Sequence, residues 1–400
     1  MCKPGVLVIH NRYQQAGGED AVVRSEIALL RQYGHRVTEF SRDNAVIADY
    51  GPARKASLFF SATWSHRVYK ELRKLIRKER PAVAHCHNLV PLISPAAYYA
   101  CRAEGVPVVQ TLHNFRLRCP AGTMFRGGAA CRECHGGLGR AVALGCYRGS
   151  RAQTAAMALT LKSHRRAGTF ERIVDLYSAP SEFCAQQMAG KHISRDKIVV
   201  RPNFLLKDPG ARHASENFAL FVGRLCEEKG VRQIIRAWRR MPHVPLVVVG
   251  EGPLREEAQR TAPKNVIFWG ALTPAETLLR MKAARFLVFP SVGYETFGMA
   301  VLEAGACGVA TVGSRLGAIP ELVQEERTGL LFDPHNGDEL VAKVEWAWSH
   351  PVSMNAMGAA ARRQYLHHFT AEKAYESLTA LYESVSPGWA TASPASGAVA

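Results

Sequence analysis

The chain carries two successive series in which short apolar runs alternate with helix-length amphipathic segments, and this arrangement leaves few folds open. In the first series Gly5–His10 reads as a strand, a loop with Gly17 and Gly18 follows, and Ala21–Tyr33 has helical spacing. Strand-like Arg36–Phe40, helix-like Ser65–Lys78, strand-like Ala82–Cys86, helix-like Pro95–Ala103 and strand-like Val106–Leu112 continue it. After an irregular stretch, Thr154–Arg166 and Asp175–Ser178 resume it. The second series runs through Phe218–Val222, Val231–Arg239, Leu246–Val249, Leu254–Arg260, Val266–Trp269, Ala275–Ala283 and Phe286–Phe289, with a further helix starting near Gly298. Strands that alternate with helices build parallel sheets, so the expected class is α/β with two Rossmann-like domains.

Length agrees, because 400 residues with 47% apolar content exceed what one core usually organises. The expected division is 1–206, with a Gly-, Arg- and Cys-rich insert over 116–148, then 207–370 beyond a polar linker around Asp208–Ser215. A helix over 371–385 and a Ser-, Pro- and Ala-rich tail over 386–400, expected to be disordered, complete it. Lys and Arg outnumber Asp and Glu by 51 to 34, which favours anionic partners such as nucleotide phosphates, phospholipid headgroups or nucleic acid without choosing among them. Met1–His10 lacks the basic flank and long apolar stretch of a secretory signal, and no later segment approaches a spanning length. The expectation is a cytoplasmic protein, with peripheral attachment to the cytoplasmic membrane as an option. Its ten cysteines should then be reduced.

The strongest chemical signal is Tyr294-Glu295-Thr296-Phe297-Gly298-Met299-Ala300-Val301-Leu302-Glu303. If a helix begins near Phe297 or Gly298, the free backbone N–H groups around Phe297, Gly298 and Met299, together with the helix dipole, face whatever anion occupies the loop, and a diphosphate fits there. At about 100° per residue Glu303 projects towards the same side, so that Glu295 would hold a sugar and Glu303 a ribose diol. The alternative reading is an acid that merely favours the dipole and a solvated helix residue. Gly250-Glu251-Gly252-Pro253 allows a tight turn from strand into helix, as nucleotide-binding folds need.

Pro290-Ser291 through Glu303, followed by Gly305, Gly308, Gly313 and Gly317-Ala318-Ile319-Pro320-Glu321, resembles the retaining glycosyltransferases of family 4, which have the GT-B fold. Upstream, Phe221-Val222-Gly223-Arg224-Leu225-Cys226-Glu227-Glu228-Lys229-Gly230 is similar to that family's strand-loop segment, whose Arg and Lys grip the donor diphosphate; those positions are Arg224 and Lys229. The resemblance covers Val6 to about Val385. It implies two facing Rossmann-like domains with a cleft between them and a final helix that packs back on the first. It also implies a retaining transfer from a nucleotide-diphosphate sugar to a hydroxyl of a glycan or lipid-linked acceptor, in cell-surface polysaccharide or glycoconjugate assembly. Val266–Leu272 matches the segment near the nucleobase. Gly17-Gly18-Glu19 resembles the glycine loop that approaches a phosphate or the acceptor. His113, in Thr111-Leu112-His113-Asn114, matches a histidine near the transferred sugar, for which sugar contact is preferred over base catalysis; His87-Asn88 is its rival. The chain has no Asp-x-Asp triplet, so no metal cofactor is expected for catalysis. Two other readings are a sugar-nucleotide epimerase or hydrolase of the same fold, and a basic, cysteine-clustered nucleic-acid-binding protein. Nucleic acid is disfavoured because aromatic stacking motifs do not accompany the basic run.

The stretch holding Cys119, Cys131-Arg132-Glu133-Cys134 and Cys146 resembles an insert found in a bacterial subset of the family. Cys131 and Cys134 have the spacing of half a zinc site, which Cys119 and Cys146 would complete as a structural centre; buried thiols or a redox pair are the alternatives. Between His66 and Arg80, Arg67, Lys70, Arg73, Lys74, Arg77, Lys78 and Arg80 accompany Val68, Leu72, Leu75 and Ile76. Such a basic amphipathic helix either lies on an anionic membrane surface or covers the sheet with its charged side in water.

Overall fold

The computed structural model describes residues 3–13, 17–387 and 389. They form two compact units, those up to 123 with 132–202 and those from 374 on, and 124–131 with 203–373. Each is built on a six-stranded sheet in which every pairing is parallel.

In the first unit the strand order is Val37–Asp43, Val6–Arg12, Val83–Cys86, Val108–Thr111, Leu176–Ala179 and Ile198–Val200. Val83–Cys86 and Val108–Thr111 are buried along their whole length, because helices cover both faces, and each opens on two adjacent apolar residues before a polar one, His85 or Gln110. Ile198–Val200 was not expected as a strand: three residues beside the turn Arg195–Lys197 are too short for periodicity to register.

In the second unit the order is Val266–Gly270, Leu246–Val249, Ala219–Val222, Phe286–Phe289, Thr311–Ser314 and Gly329–Phe332. The last two strands also lie beyond the sequence-based expectation, since both are four residues long and contain glycine. The order turns back on itself between Ala219–Val222 and Phe286–Phe289, and in open parallel sheets the carboxyl ends at such a point are where ligands bind. Those ends carry the loops with Arg224, Lys229 and Glu295.

The helix Ala371–Val385 returns to the first unit, where Leu378, Leu381 and Tyr382 are buried beside Val6, Val83 and Val109. Of the tail expected to be disordered, Trp389 is instead buried and stacks on His35 at 5.0 Å, which corrects the expectation there; 388 and 390–400 lie outside the described residues. The helix Pro52–Ser61, unanticipated from the sequence, precedes the basic helix His66–Glu79. Inside the insert are a two-stranded hairpin, Phe125–Arg126 with Ala129–Ala130, a turn at Glu133–His135 and a short helix Gly139–Ala143. No helix among the described residues is long and apolar enough to cross a membrane.

Candidate active site

At the switch point of the second sheet three loops are stitched together through their backbones. Gly223 donates to the Val249 carbonyl at 3.0 Å, Leu225 to Glu251 at 2.8 Å and Leu254 to Leu225 at 2.9 Å. Val292 and Gly293 both donate to the carbonyl of Glu228, at 2.9 and 3.0 Å. The glycines permit this closeness. A Cβ on Gly250 would lie 1.9 Å from the Gly223 carbonyl oxygen, and one on Gly252 would lie 2.5 Å from that of Leu225. Gly250 and Gly252 thus shape the loop that carries Arg224.

Within these loops Lys229 Nζ stands 2.6 Å from Glu295 Oε1, which also accepts from Ser291 Oγ at 2.7 Å. Both partners are largely enclosed, at 26% and 15% side-chain exposure. Burial opposes the lysine's charge, but the neighbouring carboxylate outweighs it and holds the ammonium above the usual lysine range. Arg224 is exposed and its side chain has no hydrogen-bond or ion-pair partner among the described residues, so its guanidinium is available to an incoming anion.

The helix after this loop runs Met299–Ala306 and takes Gly298 as its N-cap, at φ +117°. A Cβ there would strike Ile319 Cδ1 at 2.8 Å. The Phe297 side chain is buried in the core and meets Phe369 edge-on, so any contact with a ligand falls to its backbone. Met299 packs partly buried on the same core. The carboxyl of Glu303, in the second turn, has no hydrogen-bond partner among the described residues, and burial pushes it up to about 7. A half-buried carboxyl without a protein partner suits a ligand that donates hydrogen bonds.

Glu295 is supported from behind by Gly317-Ala318, where Ala318 N donates to the Glu295 carbonyl at 3.1 Å. Gly317 sits at φ +64°, and a Cβ would come within 2.7 Å of the Glu295 nitrogen. Gly317→Ala is therefore expected to cost about 1–3 kcal/mol of stability, measured by thermal denaturation, and to displace Glu295, lowering turnover more than stability. Unchanged turnover would show that Glu295's placement does not depend on this contact.

The first unit gathers a second set of polar groups at the carboxyl ends of its strands. His113 and His87 are joined, Nε2 to Nδ1, at 2.8 Å. His87 Nε2 is 3.5 Å from Glu26 Oε2, and Glu26 is paired in turn with Arg201. His85 bonds Tyr382 Oη and Thr111 Oγ1, each at 2.7 Å, and His10 bonds Asp20 at 2.7 Å. Burial holds His87 and His113 well below the usual imidazole range, with the neighbouring histidines adding to the effect, so both are neutral at physiological pH. A neutral His113 is equipped to exchange hydrogen bonds with hydroxyls. The residue held as its rival, His87, is its hydrogen-bond partner. Glu26 was missed because a single acid on an amphipathic helix looks solvated, and Arg201 because it follows the unrecognised strand.

Gly17 caps the helix Gly18–Gln32 in extended conformation, and a Cβ on Gly17 or Gly18 would meet open space. Among the described residues, nothing around Gly17 or Gly18 demands glycine. Glu19 accepts from Asn114 Nδ2 at 3.3 Å beside Tyr13 and Arg116; burial pushes its carboxyl up to about 7 against these partners.

The zinc expectation does not fit. Among the described residues, the one trio of metal-ligating side chains whose ligand atoms lie within 4.8 Å of one another is Glu26, His85 and His87; the insert cysteines form none. Cys119 is buried in the turn Phe115–Gly122, closed by its own N–H to Phe115. The Glu26 trio is itself engaged by the Arg201 cation, which opposes a metal ion.

A lysine–carboxylate pair before a helix N-terminus, at the switch point of one of two parallel sheets, places the chain among sugar-transferring enzymes once it is compared with known proteins. Residues 206–364 match the family model described as glycosyl transferases group 1, and residues 16–205 match that of glycosyltransferase family 4. The chain belongs to these group 1 glycosyltransferases of the GT-B fold. It is 29% identical over 222 residues to an O-antigen chain mannosyltransferase C of Escherichia coli, an alignment that takes in 51% of this chain and 59% of that one. An uncharacterised glycosyltransferase of Methanocaldococcus jannaschii is 25% identical over 321 residues, 74% of this chain and 75% of its own. Among solved structures, sucrose-phosphate synthase from Thermosynechococcus elongatus superposes with a TM-score of 0.71 at 17% identity, covering 96% of this chain and all of the other. Anabaena HepE in complex with UDP-glucose gives 0.64 at 15%, covering 95% and 100%.

Proposed function

We propose that the protein transfers a sugar, with retention of anomeric configuration, from a nucleotide-diphosphate sugar to a hydroxyl of a glycan or lipid-linked acceptor in cell-surface glycoconjugate assembly. The observation that carries this is the Lys229–Glu295 pair set between the exposed Arg224 and the N-terminus of Met299–Ala306. The leaving diphosphate rests against the free N–H groups of that helix, and Arg224 and Lys229 offset the charge that grows on it as the glycosidic bond breaks. Glu295 accepts from sugar hydroxyls and Glu303 from the ribose diol. The acceptor hydroxyl attacks on the face of the departing diphosphate, whose oxygen takes the proton, so that no side-chain base is required. Nucleotide sugars bound by relatives of the same fold, such as the UDP-glucose of HepE, support a donor of this class.

The test is product analysis with and without an acceptor, across UDP-, GDP- and ADP-sugars. Transfer only with acceptor, and with the anomer retained, supports the reading; free sugar or an epimer formed without acceptor favours the hydrolase or epimerase alternative. Turnover is expected to persist in excess EDTA, since the chain has no Asp-x-Asp triplet; abolition would overturn that part.

The pH dependence follows from Glu303. Its carboxyl, held at about 7, is neutral below that pH and accepts poorly, so donor affinity should rise as pH increases through about 7 and level off above it. Calorimetric titration of the parent and of Glu303→Gln checks this: the variant should bind more weakly at high pH and lose the pH dependence.

A further inference from the structure

The hairpin inside the insert belongs to the second unit: the chain enters that unit at Met124 and leaves it after Cys131. Phe125 and Arg126 pair with Ala130 and Ala129, and Cys131 N donates to the Met124 carbonyl at 2.6 Å. Gly127 and Gly128, at φ +59° and +79°, supply the two left-handed residues that a two-residue type I′ turn needs. So small a hairpin is at best marginally stable by itself in water, and its place is set by what it packs against.

It packs against the loops of the candidate active site. Gly293, two residues before Glu295, lies between the Phe125 ring and Glu228: a Cβ there would stand 3.2 Å from Phe125 Cδ2 and 2.8 Å from Glu228 Cβ. At the tip of the hairpin Glu227 lies beside Gly128, whose Cβ would stand 3.7 Å from Glu227 Oε1. Two segments are therefore touched, the turn Glu227–Lys229 and the loop 291–295, and each carries one member of the Lys229–Glu295 pair. Neither belongs to a strand or an α-helix, and their backbones are joined through the Glu228 carbonyl, which accepts from Val292 and Gly293. Because Gly293 has no side chain that could yield by changing rotamer, a ring pressed on it acts directly on the backbone of the loop.

We propose that Phe125 is a positioning residue for the donor: its ring holds the loop 291–295 against the turn Glu227–Lys229, so that Lys229 Nζ and Glu295 Oε1 keep their 2.6 Å separation and meet the diphosphate and its sugar together. This rests on the reading of that pair as the donor's grip. It gives the hairpin a task in donor binding, although the residues on either side of it group with the first unit. Phe125 is itself only half-buried, so its loss removes little core.

Calorimetric titration of the full chain with UDP, GDP and ADP, and hydrogen exchange without nucleotide, test this. Phe125→Ala should weaken binding of the diphosphate that the parent takes by up to about tenfold, the worth of one aromatic contact. The amides of Val292 and Gly293, bonded to Glu228, should exchange faster in this variant while its melting temperature stays close to the parent's. Phe125→Leu, which keeps an apolar group on Gly293, should bind within about threefold of the parent. In transfer assays the loss should fall on kcat and on the donor's KM, with the acceptor's KM unmoved. Exchange accelerated across the whole second unit instead of at 291–295, or a loss confined to the acceptor's KM, would overturn the proposal. If the parent binds none of the three diphosphates, the donor reading fails and the proposal with it; if the parent binds one and Phe125→Ala binds it equally well, only the role of Phe125 fails.

Discussion

Replacing Lys229 by alanine is expected to lower kcat/KM for sugar transfer by about 10²–10³-fold, the usual cost of removing one preorganised charge from a developing anion. The loss should fall mainly on kcat, because charge on the leaving diphosphate is greater in the transition state than in the bound donor. The variant should stay folded: Glu295 keeps its bond from Ser291, and the loop keeps its backbone links from Val292 and Gly293 to Glu228. Arg224→Ala, on an exposed side chain, should behave similarly with even less effect on stability. Steady-state assays of both, with thermal denaturation as the control, test the assignment. A Lys229→Ala enzyme within about threefold of the parent would show that the ammonium serves only to neutralise Glu295.

Arg201→Met is expected to have the largest effect on stability, about 3–5 kcal/mol, because it leaves the Glu26 carboxylate buried without its cation. Both side chains are nearly inaccessible, at 3% for Arg201 and 2% for Glu26, so water cannot replace the missing partner. Arg201→Met combined with Glu26→Gln should recover much of the loss, since a neutral amide removes the stranded charge. Denaturant midpoints of parent, single and double variants measure the coupling. If the single variant is as stable as the parent, the pair is not the clamp its geometry indicates.

The parts of this molecule that were legible in the sequence are those where local pattern and chemistry coincide. Leu246–Val249 and Phe286–Phe289 announce themselves as buried parallel strands because four adjacent residues of each are apolar, and Glu295 and Glu303 stand out because a loop, a helix start and two acids fall together. Thr311–Ser314 and Gly329–Phe332 were not legible, since their identity as strands comes from neighbours distant in the chain. The same holds for the Arg201–Glu26–His87–His113 chain, whose members span almost the whole first unit and become a network only through tertiary structure. The cysteines of the insert have a metal-like interval, but among the described residues they form no group of three ligand atoms within 4.8 Å of one another.

The return of the helix Ala371–Val385 to the first unit bears on how the chain is made. Tyr382 supplies the hydroxyl that His85 needs, and Tyr375 bonds His35 at 2.8 Å and stacks on Tyr33 at 3.6 Å. During synthesis the first sheet therefore waits, with Val6, Val83 and Val109 incompletely covered, until Ala371–Val385 has left the ribosome. The half translated first is the half completed last, and a nascent chain stalled before the final helix would present that uncovered surface to chaperones.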